Sequence, residues 1–137
     1  MGEGTTHRYN VRVYFEDTDA GGIAYHAAHL RFAERARTEW LRALGVPHRQ
    51  LIEEEGLIFV VKRLVIEYHR PARLDESLEV GTAVGALGGA SVTLRQVIAR
   101  DGEAIASLDV VLACVRHATG RPERIPERLR ALFRATP

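Results

Sequence analysis

Apolar and polar residues alternate with a period of two over Tyr9–Glu16, with Tyr9, Val11, Val13 and Phe15 on one side and Arg8, Asn10, Arg12 and Tyr14 on the other. That period predicts a strand with one buried face. It stops at two carboxylates, Asp17 and Asp19, and Gly21-Gly22 follows, where the backbone can take positive φ. From about Ala27 the period becomes helical, with Leu30, Ala33, Ala36, Trp40, Ala43 and Leu44 on one stripe, and Gly45 and Pro47 end it. The other face carries Arg31, Glu34, Arg35, Arg37, Glu39 and Arg42 and reads as mostly solvated, with Arg35 and Glu39 able to pair one turn apart.

Pro47–Glu55 reads as a short second helix closed by Gly56. Leu57–Val61 is almost wholly apolar and passes into alternation through Leu64, Ile66 and Tyr68, which predicts one long strand to about Arg70, stopped by Pro71. Leu78, Val80, Thr82, Val84 and Ala86 alternate next, and Gly88-Gly89 turns the chain into a strand through Val92, Leu94, Gln96 and Ile98. Asp101-Gly102 is a two-residue hairpin signal leading into a last strand, Ala104–Val115. Pro126, Leu129, Leu132 and Phe133 mark a terminal helix. A strand, one long helix and four consecutive antiparallel strands make an α+β domain in which a curved sheet of about five strands wraps a central helix. The expected strand arrangement is a meander, and its open edges call for a second subunit.

Composition narrows the partners. The chain has 137 residues, 46% of them hydrophobic, enough for a single core over 1–137, and no linker or repeat interrupts it. A net charge of +1 provides no overall field for nucleic acid, although clustered arginines could hold a phosphate-bearing small ligand. The single cysteine, Cys114, lies in an apolar run, which excludes an internal disulfide and reads as a buried thiol. Met1–His7 is polar with no targeting signature, and no run is long enough to cross a bilayer. A cytoplasmic protein is expected.

The candidate chemistry lies where the first strand gives way to the helix. The first N–H groups of a helix have no intrahelical partners and sit at the positive end of its dipole, so an oxyanion placed there is stabilised. A carboxylate beside such a helix start suits acyl chemistry. Asp19 can serve that chemistry or cap the turn, and Asp17 fits the structural task of holding the loop. His26 and His29 are spaced as His-x-x-His, but no third ligand stands at fitting spacing, so no metal is predicted. Glu34 reads as a partner of Arg31 or Arg37, and Lys62, Arg63, Arg70 and Arg73 form a candidate phosphate-holding group.

The run VRVYFEDTDAGGIAYHAAHLRFAERARTEW, Val11–Trp40, resembles the signature of hotdog-fold acyl-CoA thioesterases of the 4-hydroxybenzoyl-CoA thioesterase superfamily, in particular their Tol-Pal-associated, YbgC-like subgroup. Phe59-Val60-Val61, Glu67-Tyr68, Arg70–Asp75 and Cys114-Val115 are similar to later strands of that subgroup. The resemblance implies a hydrolase that splits an acyl-CoA, with a short or aromatic acyl group favoured, into free acid and coenzyme A without a cofactor. It implies that Asp19 acts as nucleophile or general base and that Tyr25 and His26 supply oxyanion N–H groups. Gly22, Phe15 and the four basic residues would meet substrate. It also implies a homodimer, assembling further to a homotetramer, with the active site between subunits. Phe15 stands where the subgroup commonly has Tyr, so a mechanism needing a phenol there is not expected. The rival readings are a hotdog hydratase or dehydratase, and a non-catalytic partner that binds acyl-CoA or acyl carrier protein.

Overall fold

The computed structural model describes residues 6–135, so of the polar stretch Met1–His7 only Thr6 and His7 lie within the described residues. Strand β1 (His7–Arg12) leads through a 3-10 turn (Phe15–Asp17) to helix α1 (His26–Ala43). A three-residue helix α2 (His48–Gln50) runs into a π turn (Leu51–Glu55), which Gly56 closes in the left-handed region at φ 67°. Strands β2 (Leu57–Tyr68), β3 (Ser77–Leu87), β4 (Ser91–Arg100) and β5 (Glu103–Arg116) follow, then helix α3 (Glu127–Arg134).

The strands form one antiparallel sheet in the order β1-β3-β4-β5-β2. Only β3, β4 and β5 make the expected meander. β2 pairs with β5, from Leu57 opposite Arg116 to Tyr68 opposite Ala106, so the segment after Tyr68 crosses to the far side of the sheet before β3 begins. That segment, through Pro71 and Ala72, packs under the Asp19 loop: Ala24 N–H donates to Ala72 O at 2.8 Å and Leu74 N–H to Gly22 O at 3.0 Å. The turn between β4 and β5 is the two-residue hairpin expected, with Asp101 at φ 51° and Gly102 at φ 81°.

The predicted inward positions of the central strands are buried at Leu78, Val80 and Thr82 on β3 and at Val92, Leu94, Gln96 and Ile98 on β4, whereas Val84 is half-buried and Ala86, inside the register shift between Val84 and Leu87, is exposed. The buried positions meet Phe32, Ala33, Ala36 and Trp40 of α1, all but sealed from solvent. Ala33 and Ala36 let the helix backbone approach the sheet closely enough for Gln96 Nε2 to donate to Ala33 O at 3.0 Å. Gln96 Nε2 also lies 3.0 Å from Thr82 Oγ1, and Arg37 Nη1 donates to Gln96 Oε1 at 3.0 Å. Arg37 is thus buried at 7% exposure, not on the solvated face expected for it. A charge there survives because its long stem reaches a neutral acceptor that the sheet provides. On that helix face Glu39 meets Arg42 at 3.3 Å, rather than Arg35. At the far end α3 closes the core: Phe133 stacks on Trp40 with centroids 5.2 Å apart and meets Phe59 edge to face.

β2 is an edge strand, and Val60, Val61 and Val65 on it are exposed. None of the described helices is long and apolar enough to cross a membrane. Cys114 is fully buried, and burial pushes its thiol up to about 11.

Candidate active site

The first strand is shorter than its pattern predicts. After the buried Val13 the chain curls, because the Asp17 carboxylate accepts the Tyr14 N–H at 2.9 Å and the Thr18 hydroxyl donates to Phe15 O at 2.7 Å. Phe15 therefore does not continue the buried face. It stands 81% exposed beside exposed Tyr14 and Leu74.

Asp17 is 3% exposed and lies 3.6 Å from the Arg31 guanidinium, the partner that helix α1 presents one turn in. Its backbone carbonyl accepts the Tyr25 N–H at 2.8 Å, closing the loop from 17 to 25 at its base. Asp17 thus builds the loop, the role its sequence position suggests. Asp19 sits at the exposed tip. Its Oδ1 accepts the N–H groups of Gly21 at 2.8 Å and Ile23 at 3.2 Å, and among the described residues Oδ2 has no hydrogen-bond partner. Gly22 takes φ 77°, which lets its N–H return to Asp19 O at 3.0 Å. One carboxylate oxygen is held and the other is offered to solvent.

Helix α1 starts at His26, with Tyr25 as the capping residue. Because the Tyr25 N–H is taken by Asp17, the donors left at this helix start are the N–H groups of His26 and Ala27. Of the two N–H groups expected to serve an oxyanion, that of Tyr25 is committed to Asp17 O and that of His26 is not. Ala28 N–H already turns back to Tyr25 O at 3.0 Å.

His26 and His29 do not converge. His26 is exposed, whereas His29 is 3% exposed and its Nδ1 lies 3.0 Å from Tyr25 O, an acceptor that requires Nδ1 to carry the proton. Its Nε2 has no partner among the described residues, and burial lowers its affinity for a second proton despite the Tyr25 carbonyl. Among the described residues no three His, Cys, Asp or Glu side chains group as metal ligands.

Tyr68, at the end of β2, carries no role in the sequence reading, yet it reaches this centre. Its hydroxyl donates to His26 O at 2.8 Å, and its ring lies 4.6 Å from that of His26 and 5.0 Å from that of His29. The sequence marks Tyr68 only as a position in the alternation and as part of the Glu67-Tyr68 pair similar to a later strand of the YbgC-like subgroup. A cavity of about 270 Å³ opens here, lined by Ile23, Ala24, His26, His29, Tyr68 and Arg70.

The four basic residues do not form one cluster within the chain. Arg70 lines the cavity and pairs with Glu103 at 3.2 Å, and Arg73 bridges to Ile23 of the loop. Lys62 and Arg63 lie mid-strand, separated from Tyr68 by roughly 20 Å of extended backbone. Glu34 lies on a second cavity with Arg37, and Arg31, its alternative partner, has turned to Asp17.

The site is a short acidic loop set against the N-terminus of a helix that lies on an antiparallel sheet. The profile of the Thioesterase-like superfamily matches residues 13–133, and the chain belongs to that family. It is 44% identical over 125 residues to the acyl-CoA thioesterase YbgC of Haemophilus influenzae, covering 91% of this chain and 92% of that protein. It is 38% identical over 131 residues to an acyl-CoA thioester hydrolase YbgC of Escherichia coli, covering 95% and 97%. Among solved structures, a probable thioesterase from Bartonella henselae superposes with a TM-score of 0.84 at 36% identity, covering 88% of this chain and 99% of that one. The fold is the hotdog fold of these thioesterases.

Proposed function

We propose that the protein hydrolyses acyl-CoA thioesters at Asp19. The observation that carries this reading is the exposed Asp19, whose Oδ2 has no partner among the described residues, beside a helix start whose His26 and Ala27 N–H groups have no intrahelical acceptor. The relatives named acyl-CoA thioesterase and thioester hydrolase support the same chemistry.

The thioester carbonyl oxygen lies on the His26 and Ala27 N–H groups. Either Asp19 removes a proton from water as the water adds to the carbonyl carbon, or Oδ2 itself adds and water later opens the resulting anhydride. In both routes the tetrahedral oxyanion rests on the two amides, the carbon–sulfur bond breaks, and the pair of electrons leaves on sulfur. A thiol near pKa ~8.5 departs as thiolate with little help from an acid. The free acid and coenzyme A are the products.

The cavity of about 270 Å³ next to the loop suits a short or aromatic acyl group better than a long chain. Arg70 and Arg73 border the loop and are placed to meet phosphate, with Lys62 and Arg63 too far along β2 to join them in one chain. The exposed valines of β2 and the exposed Tyr14, Phe15 and Leu74 near the loop fit a homodimer whose subunits meet beside the site. Higher assembly to a homotetramer and a cytoplasmic location belong to the same reading.

Asp19→Asn tests it. Thiol release from short-chain and aromatic acyl-CoAs should fall by about 10²-fold or more with folding intact. Turnover close to wild type removes the assignment. Single turnover in ¹⁸O water tests the anhydride route, since water that opens the anhydride at the Asp19 carboxyl carbon leaves label in the enzyme and carries an unlabelled enzyme oxygen into the acid.

A further inference from the structure

Two side chains hold the two peptide units that begin helix α1. His29 Nδ1 donates to the carbonyl of Tyr25 at 3.0 Å, and the Tyr68 hydroxyl donates to the carbonyl of His26 at 2.8 Å. A trans peptide is planar, so its C=O and its N–H point in opposite directions as one rigid unit. The carbonyl of Tyr25 shares a plane with the N–H of His26, and the carbonyl of His26 shares a plane with the N–H of Ala27. Each side chain therefore grips the back of one plane whose front is an oxyanion donor.

We infer that His29 and Tyr68 are positioning residues that aim and polarise the His26 and Ala27 N–H groups at the developing oxyanion. The inference rests on the proposed thioesterase activity. Aim follows from the planes: a carbonyl drawn toward a buried imidazole turns its amide hydrogen outward. Polarisation follows from cooperativity, because a carbonyl that accepts a further hydrogen bond leaves its N–H more positive.

The helix alone does not account for these bonds. Tyr25 O already accepts the Ala28 N–H at 3.0 Å, and the imidazole takes its remaining lone-pair direction. The two rings also brace one another, standing at 88° with centroids 5.0 Å apart, and His29 is nine-tenths buried and fixed. One clamp comes from inside the helix and the other from the end of β2, 42 residues away. The oxyanion turn is thereby tied to the sheet. A purely structural tie would affect melting but not the transition state selectively.

Tyr68→Phe and His29→Phe keep a ring in place and remove only the donor; His29→Gln keeps a donor. Loss of a whole oxyanion donor costs 10²–10³ in kcat, so losing its support should lower kcat about five- to tenfold, with KM for a short acyl-CoA changed less than about twofold. His29→Gln should recover most of the loss. In ¹⁵N-resolved proton spectra of the free protein, the Ala27 amide proton should move upfield in Tyr68→Phe and the His26 amide proton in His29→Phe. Folded variants with wild-type kcat, a loss confined to KM, or unmoved amide protons overturn the inference. If the wild type hydrolyses no thioester, the proposed activity falls and the amide resonances alone decide the clamp.

Discussion

At the scale of single residues, the informative contrast is between carboxylates two positions apart. Asp17 is buried, holds the Tyr14 N–H and faces Arg31, whereas Asp19 offers one oxygen to solvent. The division was legible because a short acid before a glycine turn has few tasks open to it. Phe15 was misplaced because alternation alone ignores the competition from the Asp17 side chain for local N–H groups. Histidine burial gives a residue-scale prediction. Burial lowers the proton affinity of His7, His29 and His48 below the ordinary value of 6.5, with Glu39 opposing it at His7 and Glu34 at His48. The unfolded chain thus binds protons first. The stability these residues contribute is complete above pH 6.5 and is lost as pH falls through their folded values. Melting temperature should begin to drop near pH 6.5, and His29→Gln should show a shallower drop; a flat profile between pH 8 and 5 contradicts it. Glu76 acts in a lower window. Burial raises its carboxyl, but the Arg73 N–H and the Arg100 guanidinium outweigh that and leave it below its ordinary 4.5, so its share is lost only in stronger acid.

At the scale of elements, α1 is fixed to the sheet by both shape and polarity. The alanines permit close approach, and Gln96 joins helix to strand through Ala33 O, Thr82 and Arg37. Gln96 falls on the buried face of its strand, but its partners on α1 do not follow from its position, since they sit 59 and 63 residues away. Gln96→Leu should remove the acceptor from a buried guanidinium and cost about 3 kcal/mol. Urea unfolding checks this; a change below about 0.5 kcal/mol would mean that solvent reaches Arg37. The second helix and the terminal helix formed where glycine and proline punctuation put them, with Gly56 left-handed and Pro126 capping α3.

For the whole molecule, the open question is what covers β2. Its twelve residues form a sheet edge with Val60, Val61 and Val65 exposed, an arrangement that a second copy would cover. Light scattering should give at least twice the 15.3 kDa chain mass. Val60→Lys together with Val61→Lys should shift the population toward the single-chain mass and lower thioester hydrolysis in parallel. A wild type that runs as a monomer at assay concentration removes the proposed assembly.

Local sequence is enough for the α+β class, the buried face of β4 and of β3 as far as Thr82, the hairpin at Asp101-Gly102, and the acidic loop before a helix start. These are local matters, settled by periodicity, turn chemistry and side chains a few residues apart. Long-range packing sets the rest: β2 lies beside β5 and not β3, Arg37 is buried, and Tyr68 ends on the His26 carbonyl. Each of these depends on which distant segments share space, and a period of two or of 3.6 identifies a face without naming what it meets.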